Sequence, residues 1–242
     1  MVAAEWVRPA LTRLGHLLGR RCQLCASVVT CDDEFPLCGR CQDMLAPRRG
    51  GYCPRCGMCY ADPATPVYPC GQCRTSPPPW SAMAFHGPYR AVLKDLIHQH
   101  KFKHDHGLGQ VLRLLIRQAW EQHRLARPHL LIPVPMLPRR VAARGFNQSL
   151  ELARMLARYL DVAVSVDAVR KTRDTFPQSS LGRAARLRNL DGAFEASDVV
   201  AGCHVLLVDD VVTTGATLRA GAEACLKVGA VRVDVFVLGR AL

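Results

Sequence analysis

The chain has 242 residues, a formal net charge of +12 and twelve cysteines, and no uninterrupted apolar run long enough to span a bilayer, which takes about 18 residues or more. Ten of the twelve cysteines fall between Cys22 and Cys73, so a metal-stapled N-terminal part is expected ahead of a larger, core-driven one. The positive surface favours anionic partners such as phosphates.

In chain order, Trp6 to Leu18 carries Arg8, Arg13 and His16 among its apolar residues. It lacks the unbroken core of a secretion signal, and residues 1–20 are expected to form a short amphipathic helix. The following stretch, 21–80, holds four CxxC pairs: Cys22/Cys25, Cys38/Cys41, Cys53/Cys56 and Cys70/Cys73. Twelve residues separate the first pair from the second and thirteen the third from the fourth, enough for a hairpin that brings two pairs face to face. Four thiolates would then close one tetrahedral zinc, a structural site with no open position for a substrate. Such a site contributes on the order of 10 to 16 kcal/mol, enough to fold a segment of this size. About two zinc ions per chain are expected, and pairing by neighbours is the default, although spacing alone also permits first with third and second with fourth. Redox use of a single pair is the competing idea, but four pairs in series fit metal better. CxxC pairs without an export signal point to reduced thiols and a cytoplasmic location. Pro77-Pro78-Pro79 marks a linker, with the boundary near Trp80.

From Ser81 onward, short apolar runs alternate with helical periods. Strands are expected at Met83–Phe85, Leu130–Val134, Val205–Val208 and Val231–Leu238, and helices at Ala91–Phe102, Leu108–His123, Asn147–Leu160 and Ala216–Val228. This alternation gives residues 81–242 an α/β fold with a mostly parallel sheet and flanking helices. Arg124 to Arg188 holds thirteen Lys/Arg against four Asp/Glu and accounts for all the surplus charge beyond residue 80. His98, His100, His104 and His106 read as a solvated face, and Cys203 and Cys225 as buried thiols.

The sharpest signal is Val205-Leu206-Leu207-Val208-Asp209-Asp210-Val211-Val212-Thr213-Thr214-Gly215-Ala216-Thr217-Leu218. Ligands bind beyond the carboxyl ends of parallel strands, where the next helix offers free amides to a phosphate. Thr213, Thr214 and Thr217 add hydroxyls, and Gly215 lets the backbone come close. Asp209 and Asp210 would repel a phosphate, so they should face ribose hydroxyls, directly or through Mg²⁺.

This string resembles the phosphoribosyl-pyrophosphate (PRPP) motif of type I phosphoribosyltransferases. Together with the cysteine pairs, Lys101-Phe102-Lys103, Arg144-Gly145-Phe146-Asn147-Gln148 and the segment Arg173 to Phe194, it makes nearly the whole chain similar to the ComF family of competence proteins. The resemblance implies a phosphoribosyltransferase-like fold behind a zinc-ribbon module, and a link to single-stranded DNA and the competence machinery. It implies that the acidic pair holds the ribose hydroxyls and that Thr213, Thr214, Gly215, Ala216 and Thr217 hold the 5′-phosphate. The loop after Leu130–Val134, with Arg139, Arg140 and Arg144, would hold pyrophosphate, and Lys101 and Lys103 are further candidates. Transferases acting on 6-oxopurines resemble one another in having an acid where Thr213 stands, so salvage of those bases is disfavoured. Ser165 to Phe194 is expected to form a hood over the nucleophile.

Overall fold

The computed structural model describes residues 20–29, 36–103, 108–136, 139, 141–142, 145–172 and 192–241. The expected N-terminal helix, Cys31, His104, His106, Arg140, Arg144 and residues 173–191 of the expected hood lie outside the described residues.

Two short strands, β1 (Arg20–Arg21) and β2 (Val28–Val29), pair antiparallel around the first CxxC turn. Helix α1 (Gly39–Met44) begins directly after Cys38, and α2 (Gly71–Thr75) directly after Cys70. Each half of the cysteine-rich region is therefore built alike, from a tight turn carrying one pair and a helix start carrying the other. Ala26 and Gly57 both take positive φ, four residues beyond Cys22 and Cys53, and their amides close the turns onto the carbonyls of those cysteines.

The remaining elements are β3 (Met83–Pro88), α3 (Ala91–Lys103), α4 (Gly109–His123), β4 (Leu130–Pro133), α5 (Gln148–Leu160), β5 (Ala163–Val164), β6 (Val169–Lys171), β7 (Phe194–Ala196), a 3₁₀ turn at Asp198–Val200, β8 (His204–Val212), α6 (Ala216–Lys227) and β9 (Arg232–Arg240). Five strands form a parallel sheet in the order β3-β9-β8-β4-β5, and β6 and β7 make a separate antiparallel ribbon. β8 and β9 are buried along nearly their whole length because both faces of the sheet are covered. Leu206, Val208 and Phe236 face α3, α4 and α5, while Val205, Leu207, Val235 and Val237 face α6 and the ribbon.

The halves of the cysteine-rich region join different faces of this sheet. Cys22, Leu37, Cys41 and Leu45 share a core with Leu112 and Leu115 of α4. Tyr52 and Trp80 share the opposite core with Met83 and Phe85 of β3. Across Trp80, the Met83 amide donates to the Pro54 carbonyl, and the Trp80 indole donates to the Arg55 carbonyl.

β8 runs to Val212, four residues past its expected end, because its register with β9 continues through Asp209↔Val237 to Val212↔Arg240. The acidic pair thus sits within a paired strand, where the backbone fixes both carboxyl groups.

Candidate phosphate loop and cysteine tetrads

The sheet order creates a crevice. The chain leaves β4 through α5 towards β5 on one side and leaves β8 through α6 towards β9 on the other, so the loops after β4 and β8 diverge at a topological switch point. Asn147 caps α5, its Oδ1 accepting from the Ser149 and Leu150 amides while its Nδ2 donates to the Val134 carbonyl at the end of β4. This cap aims Ser149 across the switch point, and Ser149 Oγ donates to Asp209 Oδ1 at 2.7 Å. The Asp210 amide donates to the same oxygen at 2.9 Å.

Lys101, in the last turn of α3, places Nζ 2.7 Å from Asp210 Oδ2. Desolvation and then the neighbouring charge of Asp210 push Asp209 up to about 7, against the opposing pull of Ser149, the Asp210 amide and Lys101.

Beyond β8, Asp209 and residues 211–218 line a small concavity. Gly215 holds φ at +77°, which turns the chain into α6, whose first-turn amides have no carbonyl partner within the helix. Thr214 Oγ1 accepts from the Ala216 amide at 3.4 Å, Thr213 is exposed and Thr217 is half-buried. The back of the loop is braced twice. Arg240 Nη1 donates to the carbonyls of Val212, Thr213 and Ala241, and the Trp80 ring lies 3.3 Å from where a Cβ on Gly215 would stand. Cys56, Gln72 and Cys73 line a cleft whose other wall is Thr214, Gly215 and Arg219.

Of the remaining expected cations, Arg139 is exposed beyond β4 and Lys103 lies at the end of α3. His100 stacks edge-on against Phe146 at 5.5 Å, so the histidine face is in part a packing surface. Cys225 is fully buried, and burial pushes its thiol up to about 12. Cys203 departs from the expected burial: it is half-buried, with Sγ 3.6 Å from the Val199 carbonyl.

The cysteines gather by neighbours. Cys22, Cys25, Cys38 and Cys41 form one tetrad, and Cys53, Cys56, Cys70 and Cys73 the other, with all sulfurs of a tetrad within 4.8 Å of one another. The Cys25–Cys38 and Cys56–Cys70 sulfur separations are 3.7 and 3.8 Å. A tetrahedron with arms of about 2.3 Å has edges of about 3.8 Å, so both sets fit one zinc each. Hydrogen bonding to Ser27 draws Cys25 down to about 6 and that to Cys56 draws Cys53 down to about 4, whereas burial pushes Cys41 up and Cys73 up to about 12, so each tetrad mixes thiols that ionise readily with thiols that need a bound cation to do so.

A phosphoribosyl transferase domain family matches residues 147–241. The DNA utilization protein YhgH of Escherichia coli K12 is 40% identical over 195 residues, covering 78% of this chain and 84% of that protein. Its namesake in Salmonella typhimurium is 36% identical over 225 residues, covering 91% and 97%, and competence protein F of Haemophilus influenzae is 33% identical over 212 residues, covering 85% and 90%. The chain belongs to the ComF family of competence proteins.

Within this ComF fold, sequence reasoning missed Ser149, Trp80 and Arg240. Ser149 directly follows the quoted Asn147-Gln148, and Arg240 is a lone cation closing an apolar strand, which is a readable oddity. From sequence Trp80 reads only as a boundary marker. Among the described residues no helix is long and apolar enough to cross a membrane.

Proposed function

We propose that this ComF protein binds PRPP with Mg²⁺ and acts as a phosphoribosyltransferase. The observation that carries the reading is the juxtaposition of Asp209 and Asp210 with the Thr213–Thr217 turn at the end of β8, beside the switch point. A 5′-phosphate is suited to the first-turn amides of α6 and the hydroxyls of Thr213, Thr214 and Thr217. The carboxylates are suited to the ribose hydroxyls, with Ser149 fixing the orientation of Asp209. Arg139, Arg140 and Arg144, with Lys101 and Lys103, are the cations for the departing pyrophosphate, whose growing charge they would stabilise. Bound Mg²⁺ supplies further neutralisation of the pyrophosphate. Thr213 offers no proton acceptor for a 6-oxopurine, so orotate-like or amine nucleophiles are the class to screen.

The two cysteine tetrads serve as structural zinc sites that hold the N-terminal region against both faces of the sheet, in a protein of the reducing cytoplasm. The test is pyrophosphate release from PRPP across a panel of bases and amines, with ribose 5-phosphate as competitor. Release with one nucleophile class, inhibited by ribose 5-phosphate, is expected; release insensitive to that competitor contradicts the assignment.

A second reading, a non-catalytic role in handling single-stranded DNA, draws on the names of the relatives and on one feature of the cysteine-rich region. Tyr60 and Tyr68 stack at 4.6 Å with Tyr68 45% exposed, offering a surface to unpaired bases. Binding of an oligonucleotide that weakens linearly with log salt supports it, and a flat response counts against it.

A further inference from the structure

A second cavity, of about 460 Å³, lies between the cysteine-rich region and the C-terminal end of β3. It shares no residue with the phosphate loop, and β9 stands between β3 and β8, which places it on the same carboxyl edge of the sheet but at a separate strand end. Arg48, Arg49 and Arg90 line it, and no Asp or Glu does. Arg48 is fixed in the wall by donating to the carbonyls of Gly50, Gly51 and Tyr60. Arg49 and Arg90 are exposed at its edge, and neither guanidinium donates to a described residue. Three like charges around one concavity repel each other, and an anion relieves that repulsion.

The rest of the lining is apolar or neutral. Leu45 and Leu93 are buried in its floor, and Met44, 48% exposed, stands at the side. His86 is buried with Nε2 against Gln118 Oε1, and desolvation lowers its pKa to about 4, so it adds no charge near neutrality. The volume lies within the range of small-molecule sites, about 300 to 1,000 Å³, and a bare phosphate would leave most of it unfilled. Cations at the edge and an apolar floor together suit a phosphate carried on a ring-sized body.

We propose that this cavity is a second ligand site, for a small organic phosphate of nucleoside-monophosphate size, with the phosphate at Arg49 and Arg90 and the ring against Met44, Leu45 and Leu93. Because its walls come from both the cysteine-rich region and β3–α3, occupancy braces the two against each other and stabilises the fold by linkage.

The test uses the full, zinc-loaded chain and follows thermal shift and calorimetric binding of inorganic phosphate, a panel of nucleoside monophosphates and the matching nucleosides. Saturable binding of at least one monophosphate, at least tenfold tighter than inorganic phosphate or the nucleoside, is expected. It should persist in the Asp209→Asn, Asp210→Asn variant and fall at least tenfold in Arg49→Ala, Arg90→Ala, whose PRPP binding should match the wild type. The proposal is overturned by absence of saturable binding to the folded wild type, by equal affinity for inorganic phosphate, by loss in the aspartate variant, or by retention in a folded arginine variant. None of these outcomes depends on whether PRPP is bound or turned over.

Discussion

Lys101 and Asp210 form the closest ion pair among the described residues, 2.7 Å between Nζ and Oδ2, and join the end of α3 to the end of β8 with both side chains largely shielded from water. Removing the lysine leaves a shielded carboxylate without its cation, a larger loss than breaking an exposed pair. Lys101→Met is expected to cost about 1 to 3 kcal/mol, seen as a lower melting temperature. In an Asp210→Asn background the same change should cost far less, and a double-mutant cycle measures the coupling.

The raised pKa of Asp209 predicts a particular pH dependence. Between its ordinary range near 4 and about 7, the folded protein binds a proton that the unfolded chain does not, so this group's contribution lowers stability as pH rises through that window. Asp209→Asn should therefore raise the melting temperature at pH 8 and have little effect at pH 4. Ribose binding by the ionised carboxylate should instead weaken as pH falls below about 7, which titration of PRPP affinity between pH 5.5 and 8.5 (~three units) would show.

Gly215 couples the turn after β8 to the cysteine-rich region. At φ +77° and 3.3 Å from the Trp80 ring, an added methyl is strained by both backbone and neighbour. Gly215→Ala should destabilise the protein by about 1 kcal/mol or more and weaken PRPP binding, measured by melting and calorimetry.

Metal analysis should give two zinc ions per chain, falling to one in Cys38→Ser and in Cys70→Ser. The second tetrad reaches the loop through Arg55, Trp80 and the cleft lined by Cys56, Cys73 and Gly215, whereas the first packs on α4. Loss of PRPP affinity should thus be greater in Cys70→Ser than in Cys38→Ser.

Much of this site was legible because its chemistry is local. Asp209 to Thr217 is contiguous, and the strand before it and the helix after it each have their own hydrophobic pattern. The end of β8 was not legible, because Val211 and Val212 extend the strand only through pairing with β9. Ser149, Trp80 and Arg240 act across 60, 135 and 27 residues of chain on Asp209, Gly215 and Thr213, and no period in a sequence encodes such contacts. Spacing left two cysteine pairings open, and the packing of one half on each face of the sheet separates them. β5, β6 and β7 have two or three residues each, too few to show alternation.

The most direct test of the central claim is calorimetric titration of PRPP with Mg²⁺ into the zinc-loaded wild type and into Asp209→Asn, Asp210→Asn. Saturable binding to the wild type and at least a tenfold loss in the variant is the predicted result. Equal binding by both proteins, or none by the folded wild type, would contradict the assignment of the β8 turn as a ribose-phosphate site.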